Sequence, residues 1–193
     1  MSISIRSLEP SLRSGFSYMA ETLGDNHWID HLRDGTPVLI RPLQAGDRDL
    51  ETDFIRDLSP KSRRLRFLCN FKQPSEALID QLMNLDYQKR TAFIALIHDQ
   101  GKLREIGVSR YCATTREHIC ESAVTVADDW LNRGLGTLLM RHLIDEARKH
   151  GFKRMVSMDS ASNQPMSGLA RHLGFERRLD PADPSQTIHT LNL

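Results

Sequence analysis

Residues 121–140, ESAVTVADDWLNRGLGTLLM, constrain the chain more than any other stretch. They begin as an alternating, β-branched strand, break at residues 128–130, pass through a loop with Gly134 and Gly136, and continue as a strongly patterned helix. The first N–H groups of a helix lack intrahelical acceptors, and the peptide dipoles leave about +0.5 charge there, so this turn favours phosphate. Glycines without Cβ atoms and the Thr137 hydroxyl suit a pyrophosphate.

A simple structural turn explains the same two glycines about equally well. The Walker pattern GxxxxGK[ST] is absent because no lysine follows the loop. The dinucleotide fingerprint GxGxxG also fails, since the residues after Gly136 contain no further glycine at the required place. The loop is therefore a candidate phosphate site that other parts of the sequence have to support.

Length and composition predict one domain of ordinary size with a short extension. The 193 residues are 39% hydrophobic and 26% charged with a net charge of +1, which argues against disorder and against a general nucleic-acid-binding surface. The longest apolar runs, such as residues 92–97, are far shorter than the roughly 20 residues that cross a bilayer, and no signal-peptide core is present. We expect a soluble, cytoplasmic protein without nucleic-acid or membrane partners.

The cysteines and histidines favour neither a disulfide framework nor a metal site. Cys69, Cys112 and Cys120 cannot all pair and form no CxxC motif, so we expect them to be reduced. Cys112 and Cys120 lie in strand-like segments, where a small buried hydrophobe is the favoured role and a catalytic thiol the alternative. The eight histidines show no HExxH or similar spacing, so no metal is expected.

Residues 1–35 are predicted to form an N-terminal extension that precedes one domain over residues 36–193. Apolar residues in the extension recur at helical spacing and favour a short amphipathic helix: Phe16, Met19, Ala20 and Leu23. The domain opens with a predicted first strand over 37–42, which ends at a proline that cannot continue a ladder.

The rest of the pattern predicts a mixed α/β domain. The expected elements, in order, are helices from Ala45, from Ser59-Pro60 and over 74–85, strands over 91–98, 104–114 and 118–126, the helix after the loop, a strand at 155–158, a helix from Asn163, and a last strand pair. An antiparallel meander that crosses over onto a parallel neighbour gives a mostly antiparallel central sheet with helices on both faces.

Motifs across residues 36–180 resemble one enzyme family. Beside Gly134 and Gly136 they are Arg41-Pro42, Leu58-Ser59-Pro60, Arg66-Phe67, Asp86-Tyr87, Ile106-Gly107-Val108, Arg110-Tyr111, Asp129-Trp130, Asn163 and Leu173-Gly174-Phe175. In this order they resemble the GNAT family of acyl-CoA-dependent N-acetyltransferases, and most closely the GNAT domain of bacterial Pat-type protein lysine acetyltransferases. The family loop reads [QR]xxGx[GA], from which Leu131 departs at the first position.

The resemblance implies a GNAT fold and an acetyl-CoA site with two parts. The loop residues Asn132, Arg133, Gly134, Leu135, Gly136 and Thr137 would bind the pyrophosphate. A bulge would open the preceding strand so that Val124, Thr125 and Val126 meet the pantetheine and the thioester, with the Val124 N–H as oxyanion donor. The Asn163 amide would contact the pantetheine arm, although a helix N-cap explains that residue at least as well.

Glu121 is the candidate general base. It matches the glutamate of the Pat-type strand pattern AEFAVVV, which here reads CESAVTV over residues 120–126. A carboxylate within an otherwise apolar strand costs free energy unless it is solvated or paired, which independently suggests a wet cleft. The alternative is an ordinary exposed or salt-bridged strand glutamate.

The group that would protonate the departing thiolate is missing from the expected place. Many GNAT enzymes have a tyrosine in the pattern NxxAxxLYxxxGF, where this chain has Ala170. An alkyl thiol has a pKa of about 8.5, so the thiolate is a tolerable leaving group near neutral pH.

The segment after Ser59-Pro60 is strongly basic. It carries Lys61, Arg63, Arg64 and Arg66. A solvated helix face is the favoured interpretation, and contact with an acidic substrate surface or the CoA phosphates is the functional alternative.

The sequence therefore predicts an enzyme that moves an acetyl group from acetyl-CoA to a primary amine, with a protein lysine as the favoured acceptor. A small-molecule amine acceptor and a non-catalytic acyl-CoA sensor remain as alternatives, since Leu131 and Ala170 depart from the family pattern. A homodimer is left open as an assembly.

Overall fold

A computed structural model describes residues 27–67 and 71–193. The expected helix around residues 16–23, and Cys69, lie outside the described residues. The elements are β1 (Trp28–His31), β2 (Pro37–Pro42), α1 (Arg48–Asp57), α2 (Pro60–Phe67), α3 (Glu76–Met83), β3 (Arg90–Asp99), β4 (Lys102–Ala113), β5 (Ile119–Val126), α4 (Leu135–Lys149), β6 (Arg154–Ser160), α5 (Gln164–His172), β7 (Glu176–Leu179) and β8 (Gln186–Asn192).

Within these residues the eight strands form one sheet in the order β1-β2-β3-β4-β5-β6-β8-β7. The neighbours β5 and β6 are parallel, whereas the other neighbouring pairs are antiparallel. The parallel pair arises because the chain crosses over through α4 between the two strands. The predicted fold class, a mostly antiparallel sheet in an α/β domain, is confirmed.

The sheet begins earlier than the sequence analysis predicted. Residues 37–42 were expected as the first strand, but Trp28–His31 pair with them as an antiparallel edge strand. The Trp28 ring stacks on His142 of α4 with centroids 4.2 Å apart, and Asp30 Oδ2 lies 2.6 Å from His142 Nε2. These contacts attach β1 to the helix. The division of the chain at residue 36 itself stays a prediction.

Helices pack on both faces of the sheet because each face carries its own apolar cluster. On one face α4 and α5 contribute Leu135, Leu139, Leu143, Ala147 and Ala170. On the other, α1 and α3 contribute Phe54, Ile55, Ile79 and Leu82. Among the described helices, none combines the length and apolarity needed to span a lipid bilayer.

A buried ion pair joins β2 to the turn before α1. Arg41 and Asp47 are 3% and 6% exposed, and both guanidinium Nη atoms donate to the two carboxylate oxygens at 2.5 and 2.7 Å. The Gln44 N–H also donates to Asp47 Oδ2, at 2.8 Å. Arg41, one of the residues that carry the family resemblance, therefore has a structural partner.

Cys112 and Cys120 have different surroundings although both lie in strands. Cys120 is fully buried, and burial raises its thiol pKa to about 12, as suits a small buried hydrophobe. Cys112 is exposed and free, so the prediction that it is buried was wrong. Strand side chains alternate between faces, so Cys112 points to the face opposite the buried Tyr111, near the end of β4.

Candidate active site

The parallel strands β5 and β6 separate after a short shared stretch. They pair over three positions, Ile119↔Arg154, Cys120↔Met155 and Glu121↔Val156. Beyond Glu121, β5 stays in register with β4 up to Val126, while β6 stays paired with β8 up to Ser160. A gap therefore opens between the two strands, with Glu121 at the point where they part.

Two backbone N–H groups of β5 point into this gap. The Ala127 N–H donates to the Ile106 carbonyl at 2.9 Å. In an antiparallel ladder, hydrogen-bonded positions alternate, so Thr125 also bonds toward β4, whereas the Val124 and Val126 N–H groups face the opposite side. Of the three predicted pantetheine contacts, the structure thus turns two amides toward the gap and one toward β4.

The expected bulge lies elsewhere. The register between β5 and β4 is continuous, whereas β4 and β3 shift between Ala95 and Leu96, so that Ile106 is an extra residue in β4. The prediction that a bulge in β5 frees its amides was wrong. They are freed because β6 turns away with β8, which leaves one side of β5 without a ladder partner.

The loop before α4 brings further donors to one end of the gap. Gly134 caps the helix with a left-handed backbone, φ +93°, and its carbonyl accepts from the Thr137 and Leu138 N–H groups at 3.0 and 3.3 Å. The Leu135 and Gly136 N–H groups occupy the first helical positions, where no intrahelical acceptor exists. These two amides and the Thr137 hydroxyl are the donors that the α4 start can offer to an anion.

Packing alone also accounts for glycine at both loop positions. A Cβ on Gly136 would lie 3.2 Å from Leu169 Cδ2 of α5, so the absent side chain lets α5 approach α4. A Cβ on Gly134 would lie 3.3 Å from Arg33 Cγ and 3.5 Å from Arg33 Nε. The glycines thus serve a structural turn, as one interpretation of the sequence predicted, and the Arg33 side chain lies across that loop.

Arg33 is a candidate ligand contact that sequence reasoning missed. Its N–H donates to the Arg133 carbonyl at 3.0 Å, and its side chain is exposed and forms no hydrogen bond or ion pair with the rest of the described chain. Arg133, the predicted contact, is already engaged: it donates to the Asp129 carbonyl at 3.1 Å, lies 3.4 Å from Asp34 Oδ2 and sits over Trp130. The Asp34-Gly35 turn signal could have indicated a hairpin that returns Arg33 to this loop.

Glu121 lies at the narrow end of the gap. Its side chain is exposed, and it shares a face of β5 with Ala123 and Thr125, opposite the core that Val124 and Val126 contact. The exposed carboxylate is thus open to solvent, as the expectation of a wet cleft requires. Both the candidate base and the ordinary exposed glutamate are compatible with this placement.

Asn163 caps α5, as its alternative interpretation predicted. Its Oδ1 accepts from the Met166 N–H at 3.3 Å, and its Nδ2 donates to Asp159 Oδ1 at 3.4 Å. Asp159 belongs to β6 and also accepts from the Ser157 hydroxyl at 3.3 Å. Burial raises the pKa of Asp159, while the nearby His189 ring opposes that rise. The amide is therefore held at the end of the strand that borders the gap.

The departures from the family pattern have clear positions. Ala170 is 1% exposed within the core beside α4, so the place of the usual tyrosine is filled by packing. Leu131 is 45% exposed beside the loop. Among residues 27–67 and 71–193, no group of three or more His, Cys, Asp or Glu is arranged to hold a metal ion.

The basic residues of α2 divide into two kinds. Lys61 and Arg64 are exposed, as the solvated-face interpretation predicted. Arg63 donates to the Arg56 and Leu58 carbonyls at 2.8 and 2.6 Å and so satisfies the end of α1. Arg66 is partly buried.

The site combines a separated strand pair, free strand amides and a helix start at one end of the gap, an arrangement that indicates an acyltransferase. The chain belongs to the acetyltransferase (GNAT) family, whose model matches residues 50–175. It is 52% identical over 177 residues to acetyltransferase PA5475 of Pseudomonas aeruginosa, which covers 92% of this chain and 95% of the relative. A 56-residue stretch is 43% identical to the L-methionine sulfoximine/L-methionine sulfone acetyltransferase of that species, covering 29% of this chain and 33% of the relative.

The fold is also that of known GNAT structures. The GNAT domain of S. lividans PAT superposes with a TM-score of 0.79, covering 86% of this chain and 97% of that domain at 22% identity. The protein is thus a GNAT-family acetyltransferase that transfers an acyl group to an amine, and the family uses acetyl-CoA. The β5 amides that lack ladder partners and the unbonded amides of the α4 start fit an elongated ligand with a phosphate at one end.

Proposed function

We propose that this enzyme transfers an acetyl group from acetyl-CoA to a lysine side chain of a protein, with Glu121 as the general base. The observation that carries the proposal is the position of Glu121, an exposed carboxylate where β5 and β6 part, at the end of the gap away from the α4 start. A base at this exposed position is accessible to a lysine side chain on the surface of another protein. Cytoplasmic location and a homodimer stay predictions.

The reaction needs a proton removed from the acceptor before the attack and an anion stabilised after it. A lysine ammonium, with a pKa of about 10.4, must lose a proton before its nitrogen can attack, and Glu121 takes that proton directly or through water. The nitrogen then attacks the thioester carbonyl carbon, and the Val124 N–H donates to the oxyanion that forms. Collapse breaks the C–S bond, the attacking nitrogen loses its second proton to solvent, and the CoA thiolate leaves and takes a proton from solvent.

The remaining predicted residues hold the coenzyme. The pyrophosphate would accept from the Leu135 and Gly136 N–H groups and the Thr137 hydroxyl, on a loop shaped by Asn132, Arg133 and Gly134. Val126 and Thr125 would line the pantetheine arm, and Asn163 would contact it with the donor hydrogen that Asp159 leaves free.

A small-molecule amine is the second candidate acceptor. The named acceptors of the P. aeruginosa relative matched over 56 residues are small amino acid derivatives, whereas the S. lividans neighbour is named PAT and supports the protein acceptor through the Pat resemblance. A sensor without turnover is the third. Free thiol release from acetyl-CoA with native proteins and with small amines separates the three: protein-dependent release supports the first, amine-dependent release the second, and tight binding without release the sensor.

Replacing Arg33 by glutamine tests the coenzyme site. We infer that Arg33 supplies the loop with the cation that Leu131 does not, so Arg33→Gln should weaken acetyl-CoA binding about fivefold or more, as expected for one charge-assisted contact. The loss should shrink at high salt because screening weakens the wild-type contact. Titration calorimetry at two salt concentrations measures both effects.

The matched control is Arg178→Gln, since Arg178 is exposed on β7 at the other edge of the sheet. Its affinity for acetyl-CoA should equal that of the wild type. Equal affinities for Arg33→Gln and the wild type would refute the assignment of Arg33.

A further inference from the structure

Arg66 lies on the helix that covers the end of the gap where Glu121 is found. α2 packs against both β5 and β6, and these strands carry Glu121 and Asp159. Unlike Lys61 and Arg64 of the same helix, Arg66 is only partly exposed. Its side chain is thus embedded beside the place where the two strands part, while solvent and ligands can still reach it.

The guanidinium of Arg66 has no polar partner in the described part of the chain. It forms no hydrogen bond and no ion pair there, and its Cζ lies 4.9 Å from the ring centroid of Phe67. The other partly buried arginines nearby are engaged: Arg63 bonds two carbonyls, and Arg110 bonds Glu51 and the Leu82 carbonyl. Among the partly buried arginines of this described region, Arg66 is thus the one whose donors remain available.

The surroundings make this cation costly to leave alone. Burial lowers the pKa of Arg66 to about 10, and the charge of Arg110 adds to the effect, while the carboxylates of Glu51, Asp159 and Glu121 oppose it. Embedded charges in proteins are normally paired, because desolvation is otherwise uncompensated. A planar guanidinium with free donors is suited to bind a carboxylate through two parallel hydrogen bonds.

We propose that Arg66 binds a carboxylate of the acceptor, so that the enzyme selects amines that have a carboxylate close by, and for a protein acceptor a lysine with an acidic neighbour. The inference rests on the proposed function, since it places the acceptor amine at Glu121. An ammonium near Glu121 and a carboxylate near Arg66 would match the two charges of this end of the gap. Arg66 of α2 would then determine the specificity for the acceptor, and Glu121 of β5 would remove the proton from the acceptor amine.

Two matched pairs of acceptors test the proposal. The first is a short peptide with a lysine followed by glutamate, and the same peptide with glutamine there. The second is a free amino acid and its carboxamide. For at least one pair, kcat/KM of the wild type should favour the carboxylate acceptor about tenfold or more, the range of a charged hydrogen bond. The pair that shows the preference identifies the source of the carboxylate.

The variants separate recognition from structure. Arg66→Gln should remove the preference and leave the rate with the uncharged acceptor nearly unchanged, and Arg66→Lys should restore part of it. Arg64→Gln, on the exposed side of the same helix, should keep the full preference. A variant that fails to fold would lower all rates together, whereas the acceptor ratio is measured within each protein.

Two results would overturn the inference. They are a wild type without preference in either pair, and an Arg66→Gln enzyme that keeps the preference, whether or not its rates on both acceptors fall together. Acetylation of the uncharged acceptors without preference would leave the proposed function standing. A protein that binds acetyl-CoA but acetylates neither proteins nor any of these acceptors would remove both.

Discussion

Glu121→Gln should lower kcat by about 10²–10⁴-fold, the usual contribution of a general base, while the affinity for acetyl-CoA should stay close to that of the wild type. Glutamine has nearly the same shape but cannot accept the ammonium proton. Glu121 is exposed and has no ion pair within residues 27–67 and 71–193, so the change should leave the fold intact. Initial rates of thiol release and calorimetric titration with acetyl-CoA measure the two quantities.

The remaining activity of Glu121→Gln should depend on pH more steeply than that of the wild type. Without a base, the reaction relies on the fraction of lysine already neutral, which rises toward its pKa of about 10.4. Glu176→Gln, an exposed strand glutamate on β7, is the matched control and should retain full activity. If Glu121→Gln turned over as fast as this control at neutral pH, Glu121 would not be the base.

Asp47→Ala should cause the largest loss of stability, about 3–5 kcal/mol in the free energy of unfolding, which is typical when one partner of a buried ion pair is removed. Arg41 is 3% exposed, so its guanidinium would stay buried with only the Pro42 carbonyl, at 3.0 Å, as acceptor. The Gln44 N–H would also lose its acceptor. Urea denaturation measures the loss as a lower midpoint with an unchanged slope.

Two controls isolate the buried charge. Asp53→Ala removes a surface partner of Arg56 at 2.7 Å and should cost less than about 1 kcal/mol, as exposed pairs do. The double variant Arg41→Met with Asp47→Leu should recover most of the lost stability, since apolar pairs of similar volume often replace buried ion pairs well. A full loss in the double variant would mean that packing, rather than the unpaired charge, dominates.

The order of the elements from β2 onward was predictable because each has a clear period and a clear boundary. The helix after the loop begins at Leu135, as the change from strand to helix periodicity indicated. β1 was missed because its four residues, WIDH, are too short to show a period. The strand becomes evident only through its pairing with β2 and its contacts with His142 of α4.

The sequence predicted which residues form the site, but not the directions in which their backbone N–H groups and side chains point. The sequence identified Val124, Thr125 and Val126 together, yet only the register with β4 tells which N–H groups face the gap. Arg133 matched the family loop, whereas Arg33 was assigned to an extension. No local pattern reveals that a turn 100 residues upstream in the chain lies across Gly134, because that contact depends on tertiary packing.

The separation of β5 and β6 divides the sheet into two half-sheets that share three paired positions. One half consists of β1 to β5, and the other of β6, β8 and β7. A coenzyme arm in the gap would accept hydrogen bonds where a neighbouring strand would otherwise do so, and would act as a substitute strand between the halves. The cosubstrate would then be a structural part of the sheet for as long as it stays bound, and departure of CoA would reopen the seam.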